Sequence, residues 1–238
     1  MELQIAPTSG AASSIGEASA PEDLVAWSLE RFADRQIVIS TAFGMEGCAL
    51  IDMYARHERP LTVVYLDTMF FFPETLALCD RLVQRYPHLT FVNRGTSLTL
   101  ERQSELYGDR LWERDPDLCC RLRKVDPMHD AMREVDVWIT GLRRGQSKTR
   151  ADIRVIEWDW KYQVLKFSPL ASWERGQVWD YVRTNDVPYN PLHERAYPTI
   201  GCTHCTKPVP GSKIGDYSRE GRWNGTTKKE CGLHGDGI

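Results

Sequence analysis

Residues 37–47 read IVISTAFGMEG and contain the most informative local pattern in the chain. Ile37-Val38-Ile39 is a short, fully apolar strand of the kind that is buried in a parallel sheet. Small residues follow it, and the apolar positions Leu50, Ile51 and Tyr54 then recur at helical spacing. A strand, a small-residue loop and a helix in this order predict one βα unit.

The alternation of strands and helices continues along the chain. Apolar runs predict strands at residues 61–66, 89–92 and 135–140, and two further strand-like runs lie at 153–158 and 163–167. Helices are predicted to begin at Pro21, Pro73 and Asp115, and another helix should cover residues 173–185. This alternation implies an α/β fold with a mostly parallel central sheet flanked by helices.

The free N–H groups at the start of a helix attract anions, so the Ser40–Gly47 loop is a candidate phosphate site. A plain βα turn is an equally good interpretation of this loop. Asp67 and Thr68 follow the next strand, where α/β sheets commonly bind ligands, although they could also serve only to turn the chain. The sequence therefore predicts an α/β domain over residues 21–190 with a candidate ligand site at the ends of its first two strands.

The two ends of the chain differ in composition from this domain. Residues 1–20 are rich in Ala, Ser and Gly and are predicted to form a disordered tail. Five prolines follow residue 187 and discourage regular structure. Residues 191–238 are therefore expected to form an irregular C-terminal segment that wraps over the sheet edge.

Composition excludes several classes of protein. The 238-residue chain carries a net charge of −3 and has a pI near 6.1, which argues against a nucleic-acid or membrane-surface partner. No stretch reaches the roughly eighteen consecutive apolar residues of a membrane span, and residues 1–20 do not form a secretory signal. Seven cysteines without such a signal indicate a cytoplasmic protein.

Positive charge is concentrated in three clusters, at residues 121–124, 143–150 and 219–229. Any one of these clusters could be an ordinary solvated surface. Three clusters, two of them close to cysteines, instead favour a small polyanionic ligand.

Four of the seven cysteines form a pattern, Cys119-Cys120 followed by Cys202-x-x-Cys205. A reducing compartment disfavours disulfides between them. Four thiolates can bind a zinc ion or an iron–sulfur cube, and the spacing alone does not decide between the two.

Cys231 lies outside this pattern, close to the C-terminus. Lys228, Lys229 and His234 lie beside it in sequence and would favour the thiolate, which is the form that attacks electrophiles. Neighbouring glycines would let such a tail move. An inert exposed thiol is the alternative.

The cysteine quartet and the stretches 219–223 (REGRW) and 229–234 (KECGLH) resemble the assimilatory adenylyl-sulfate (APS) reductases of the phosphoadenylyl-sulfate (PAPS) reductase family. The resemblance also covers residues 40–46, 66–68, 73–75 and 149–150, in motifs shared with other adenine nucleotide alpha hydrolase-like folds. It therefore spans nearly everything after residue 22. Met69 stands where the family commonly has glycine, and Lys207 stands where arginine is usual.

The resemblance implies a [4Fe-4S] cluster bound by Cys119, Cys120, Cys202 and Cys205, and a nucleophile at Cys231 on a mobile tail. It assigns the substrate to Ser40, Thr41, Phe43, Gly44, Glu46, Leu66, Asp67, Thr68, Lys124, Arg143, Arg150, Arg219, Arg222 and His234. By analogy, Lys124 would bridge substrate and cluster, Arg150 would hold phosphate, and Arg219, Arg222 and His234 would surround the sulfate. The resemblance thus makes residues 21–190 a nucleotide-binding α/β domain, in which residues 40–46 and 67–68 would hold the nucleotide.

The reaction implied by the resemblance is the reduction of APS to sulfite and AMP through a cysteine S-sulfonate. The sequence contains no fused thioredoxin domain, so a separate thioredoxin or glutaredoxin-like reductant is expected. Alternatives are a PAPS or dual APS/PAPS reductase, an ATP pyrophosphatase-type enzyme and a zinc-stabilised binding module. The sequence leaves open whether the chain forms a homo-oligomer.

Overall fold

The computed structural model of the protein describes residues 15–234 and contains a six-stranded sheet. Its strands are β1 (Ile37–Thr41), β2 (Thr62–Tyr65), β3 (Thr90–Asn93), β4 (Val137–Ile139), β5 (Ile156–Asp159) and β6 (Val164–Phe167). They lie in the order β3-β2-β1-β4-β6-β5, and every neighbouring pair is parallel except β5 with β6. The predicted mostly parallel sheet is confirmed.

Eight α-helices accompany the sheet in the part of the chain that the structure describes. They are α1 (Pro21–Arg31), α2 (Met45–Ala55), α3 (Pro73–Arg85), α4 (Leu100–Tyr107), α5 (Leu111–Arg114), α6 (Pro116–Cys120), α7 (Asp126–Met132) and α8 (Arg175–Thr184). Between residues 15 and 234, no helix has both the length and the apolar character needed to cross a membrane.

Both faces of the sheet are covered. Successive residues of a strand point to opposite faces, so Ile37 and Ile39 pack in the main core, whereas Val38 packs with Trp138 and Met128 on the other face. A parallel sheet buried on both faces requires such continuous apolar strands. The carboxyl ends of β1, β2 and β4 are therefore held on a rigid base.

Helix α2 is buried along its whole length, as expected for a helix that is apolar around most of its circumference. The buried carboxylate of Asp52 accepts hydrogen bonds from Tyr86 (2.8 Å), Tyr181 (2.6 Å) and Arg56 (2.7 Å). These bonds connect α2 to α3 and α8 and fix the direction of the helix.

Chain near both ends of the described residues packs against the domain. Residues 1–14 of the predicted tail lie outside the described residues, but Ile15 packs against the core and Glu17 pairs with Arg144, so ordered chain begins before Pro21. As far as residue 234, the closing segment covers the carboxyl ends of the central strands. Leu233 packs against the central strands, and His234 stacks on Trp138 of β4.

Candidate active site

A cavity of about 240 Å³ lies at the carboxyl ends of β1, β2 and β4 and is covered by the closing segment. It brings together most of the residues that the sequence assigns to the substrate, together with the proposed nucleophile. These are Ser40, Thr41, Gly44, Glu46, Leu66, Thr68, Lys124, Arg150, Arg219, Arg222, Cys231 and His234.

The β1–α2 loop presents the amino end of α2 to this cavity. No side chain caps the helix at Gly44, so its first N–H groups are available to an anion. Thr41 Oγ1 accepts a hydrogen bond from the Phe43 N–H (2.8 Å), and a Cβ at Gly47 would lie 2.4 Å from the same oxygen. A glycine at position 47 therefore allows this tight turn.

Buried nitrogen atoms without a hydrogen-bond partner surround the cavity. They belong to Arg150 (Nε), Arg175 (Nε and Nη2), His193 (Nε2), Arg219 (Nε), Arg222 (Nε), Trp223 (Nε1) and His234 (Nδ1). Leaving one such group unpaired costs about 1–3 kcal/mol. Burial and the neighbouring Arg219 charge also lower the pKa of Arg222. This concentration of donors and positive charge is suited to an anionic ligand.

Glu46 lines the cavity, but its carboxylate is engaged by two arginines. Oε1 accepts hydrogen bonds from Arg143 (2.8 and 2.9 Å) and from Arg175 (3.0 Å). Burial alone would raise the pKa of Glu46, but Arg175 and Arg143 lower it to about 2. Glu46 therefore orients Arg175 at the cavity wall, and Arg143 lies buried behind it.

Three predicted substrate residues, Phe43, Asp67 and Arg143, are not among those that line the cavity. Phe43 is buried against Tyr65 and Phe71, with a left-handed φ of 58° that turns its ring into the core. Asp67 Oδ1 accepts a hydrogen bond from the Met69 N–H (2.8 Å). This bond supports a left-handed φ of 61° at Met69, where the family commonly has glycine.

Lys124 lies on a π-helical turn, Arg121–Val125, between α6 and α7. Pro127 follows this turn, and a proline both lacks an N–H group and crowds the carbonyl group four residues earlier. A wider turn at this point is the expected response. It places Lys124 in the lining of both the substrate cavity and a smaller neighbouring cavity.

The smaller cavity is lined by all four cysteines of the predicted quartet. Cys119 and Cys120 come from α6, and Cys202 and Cys205 flank a 3₁₀ turn in the closing segment. The Thr68 hydroxyl lies 3.3 Å from Cys202 Sγ. His204 stacks on Trp112 at a centroid distance of 4.0 Å and packs against Phe70, so aromatic rings shield this cavity.

This donor set fits an iron–sulfur cluster in its chemistry. All seven cysteines are free thiols, and burial raises the pKa of Cys119 to about 12 and that of Cys205 to about 11. Cluster ligation would therefore release protons. Within residues 15–234, no group of three His, Cys, Asp or Glu side chains is placed to hold one metal ion. Cysteines that bind different irons of a cube need not converge on one point.

The closing segment holds Cys231 over the substrate cavity. Lys161 Nζ donates a hydrogen bond to the Gly232 carbonyl oxygen (2.6 Å), and Gly232 has a left-handed φ of 80°. His234 stacks on Trp138 at 5.1 Å, and Trp138 donates to Ser40 Oγ (2.7 Å). Burial and the nearby Arg150 and Lys166 charges hold the pKa of His234 well below its usual range, so its imidazole is neutral.

Several cavity residues were not predicted from the sequence. Arg175, Gln146, Tyr217, Trp223 and Glu230 all line the cavity. Trp223 and Glu230 belong to the C-terminal motifs at residues 219–223 and 229–234. Membership in these motifs is the sequence feature that could have assigned them to the site. Arg175 begins α8, far from any motif, and could be located only in the folded chain. Lys228, expected beside Cys231, pairs with Asp117.

The chain is similar to known proteins over most of its length. Residues 36–208 match the phosphoadenosine phosphosulfate reductase domain family. An adenosine 5'-phosphosulfate reductase of Halalkalibacterium halodurans is 42% identical over 212 residues, covering 89% of this chain and 90% of that protein. A phosphoadenosine 5'-phosphosulfate reductase of Gloeobacter violaceus is 44% identical over 217 residues, covering 90% and 88%.

A solved structure shows the same fold with a related sequence. The phosphoadenylyl-sulfate reductase from Candida auris, crystallised as a phosphate complex, superposes with a TM-score of 0.69 at 30% identity. The match covers 81% of this chain and 91% of that one. Sequence and fold agree over most of its length, and the chain therefore belongs to the phosphoadenosine phosphosulfate reductase family of oxidoreductases.

Proposed function

We propose that this protein reduces adenylyl sulfate to sulfite and AMP, with Cys231 as the nucleophile. The observation that carries the proposal is that Cys231 lines the same cavity as Lys124, Arg150, Arg219 and Arg222. A thiolate that approaches a negatively charged sulfuryl group needs such cations, because they offset the repulsion between two anions. The curated relatives named adenosine 5'-phosphosulfate reductases support this choice of substrate.

In the first step the Cys231 thiolate attacks the sulfur of the substrate. A bond forms between the two sulfurs, and the bond from sulfur to the phosphate oxygen breaks. AMP leaves with that electron pair, and Cys231 keeps the SO₃ group as an S-sulfonate. We assign the phosphate to the amino end of α2 and Arg150, and the sulfuryl group to Lys124, Arg219, Arg222 and His234, because all of these line the cavity with Cys231.

The second step needs an external dithiol, for which we propose thioredoxin or a glutaredoxin-like protein. Its thiolate attacks Cys231 Sγ, sulfite leaves with the electron pair, and a mixed disulfide forms. The second thiol of the reductant resolves this disulfide and restores Cys231. The reductant is oxidised to a disulfide, and the substrate sulfur is reduced to sulfite, so electrons balance.

We also propose that Cys119, Cys120, Cys202 and Cys205 hold a [4Fe-4S] cluster. The shielded cavity that they share and the chemistry of four thiols support this assignment. When bound, the cluster would supply a fixed local charge beside the substrate cavity, and the sulfur chemistry needs no electron from it. Lys124, which lines both cavities, would orient the sulfuryl group toward Cys231.

Sulfite release from APS in the presence of thioredoxin tests the proposed reaction. Cys231→Ser should abolish sulfite production and leave APS binding largely intact, because the serine hydroxyl is a much poorer nucleophile at neutral pH. Cys79→Ser is the matched control, since Cys79 packs in the core. Loss of APS binding in Cys231→Ser would show that Cys231 is structural.

PAPS is the second candidate substrate. The Gloeobacter violaceus relative, named a phosphoadenosine 5'-phosphosulfate reductase, is as similar to this chain as the relatives named for APS. Parallel measurement of kcat/KM for APS and PAPS decides between them. A strong preference for PAPS would contradict the assignment of APS.

A further inference from the structure

Glu230 places a carboxylate inside the cationic part of the substrate cavity. Its Oε2 atom accepts hydrogen bonds from Arg150 Nη2 (2.9 Å) and Arg219 Nη2 (2.8 Å). Ser147 Oγ donates to Oε1 at 3.3 Å. The Glu230 side chain is only 7% exposed, so this is a buried ion pair with two cations.

This carboxylate has the chemistry of the expected ligand. Guanidinium groups bind carboxylate, phosphate and sulfate oxygens through the same charge-assisted hydrogen bonds. Arg150 and Arg219 are two of the cations proposed to hold the anionic groups of the substrate. The Nε atoms of both arginines remain buried without a partner, so the carboxylate satisfies only part of their donor capacity.

The position of Glu230 in the chain links this contact to the nucleophile. Glu230 directly precedes Cys231, and Arg219 Nη2 also donates to the Lys229 carbonyl oxygen (2.9 Å). The Glu230 side chain therefore anchors the closing segment to Arg150 and Arg219. A movement of this side chain out of the cation pair would release the backbone beside Cys231 from this anchor.

We propose that Glu230 is an internal competitor for the anion subsite between Arg150 and Arg219, which it occupies until the sulfate or phosphate group of the substrate displaces it. This inference rests on the proposed function. A sulfate or phosphate group bound at the same two guanidinium groups would lie close to the Glu230 carboxylate, and repulsion between the two anions favours expulsion of the carboxylate. Its release repositions Cys231 only when a ligand is present.

Binding measurements on Glu230→Gln test this proposal. Combined with Cys231→Ser, so that no turnover occurs, Glu230→Gln should bind APS and inorganic sulfate about fivefold or more tightly than Cys231→Ser alone, because removing a competing state raises apparent affinity. Adenosine, which carries no anionic group, should bind with unchanged affinity. Glu230→Asp, with a shorter carboxylate, should give an intermediate affinity for APS.

Glu220→Gln is the matched control, because it removes the same charge from an exposed position in the same segment. Its affinity for APS should stay within about twofold of the parent protein, as expected for an exposed, screened charge. Weaker or unchanged APS binding in Glu230→Gln would overturn the proposal, and an equal gain for adenosine would also overturn it. Tighter sulfate binding by the Glu230→Gln variant, together with no sulfite release from APS by the protein with Cys231 intact, would leave Glu230 assigned and refute the proposed function.

Discussion

At the scale of single residues, the site depends on which charges are already paired. Glu46 pairs with Arg143 below the cavity and Glu230 pairs with Arg219 inside it. Lys124 and Arg222 line the cavity near Cys231. Burial alone would lower the pKa of Lys124, but electrostatic interactions with Cys202 and Cys120 raise it above its ordinary value. Lys124 therefore keeps its charge beside both cavities.

Removing the Lys124 charge should slow the first chemical step. We expect Lys124→Met to lower kcat/KM for APS by about 100-fold or more, the usual effect of losing one electrostatic group that stabilises the transition state. Steady-state sulfite release measures this effect. Lys213→Met, at an exposed position of the closing segment, is the control. A loss below tenfold would show that Lys124 is not a substrate contact.

Glu46 should affect stability more than chemistry. Glu46→Gln leaves Arg143 and Arg175 buried without a counter-charge, which should lower the free energy of unfolding by about 3–5 kcal/mol. Urea denaturation measures this change. Glu74→Gln, which breaks a pair with the exposed Arg195, should cost less than about 1 kcal/mol. Equal effects of the two variants would contradict the buried ion-pair assignment.

The same carboxylate should make stability sensitive to acid. The pKa of Glu46 is lowered from 4.5 to about 2 in the folded protein, so its contribution is fully present above pH 4.5. Stability should then fall as the pH drops from 4.5 toward 2, because the unfolded chain binds the proton more tightly. In Glu46→Gln, melting temperature should depend less on pH in this window. An unchanged slope would contradict this assignment.

At the scale of elements, apolar runs predicted the strands because a parallel sheet buried on both faces requires them. Periodicity predicted neither α4 nor α7. Helix α4 buries only Gln103, so it carries no apolar stripe. Helix α7 follows the π-helical turn and contains Pro127, which normally indicates the end of a helix. The Thr99 side chain caps α4, and Gln103 accepts a hydrogen bond from Arg123 (2.7 Å), whereas α7 packs Met128 and Met132 into a core cluster. Apolar periodicity reports none of these contacts.

The close approach of β1 and α2 gives an element-scale prediction. Gly47→Ala should place a methyl group against Thr41 Oγ1, distort the β1–α2 loop and destabilise the protein by about 1–3 kcal/mol. APS affinity should fall with it, as isothermal titration can measure. Gly176→Ala in α8 meets no atom within 4 Å and should be neutral or stabilise by up to about 1 kcal/mol. Normal APS binding by Gly47→Ala would exclude this loop from the site.

At the scale of the whole molecule, the fold brings together residues that are far apart in sequence. Cys119-Cys120 and Cys202-x-x-Cys205 meet in one cavity because α6 and the closing segment pack against the same side of the β2–α3 connection. The spacing of these cysteines in the sequence indicated that they belong together, but it could not decide between zinc and an iron–sulfur cluster. The sequence also could not show that Glu46 pairs with Arg143. Glu46 follows β1 and Arg143 follows β4, so the two side chains meet only because β4 lies beside β1 in the sheet.

Elemental analysis tests the proposed cluster. Protein purified without oxygen should contain iron and acid-labile sulfide in equal amounts, and Cys202→Ser should lose both together with part of its thermal stability. Cys79→Ser should keep them, because Cys79 lies in the core on α3. Zinc in place of iron and sulfide would contradict the cluster and support a structural zinc site.

The central claim is that Cys231 takes the sulfuryl group from the nucleotide. Mass spectrometry of protein mixed with APS in the absence of reductant tests it most directly. We predict the added mass of one SO₃ group on the peptide that contains Cys231, its loss on addition of thioredoxin, and its absence from Cys231→Ser. Sulfite release without this adduct, or an adduct on another residue, would contradict the account.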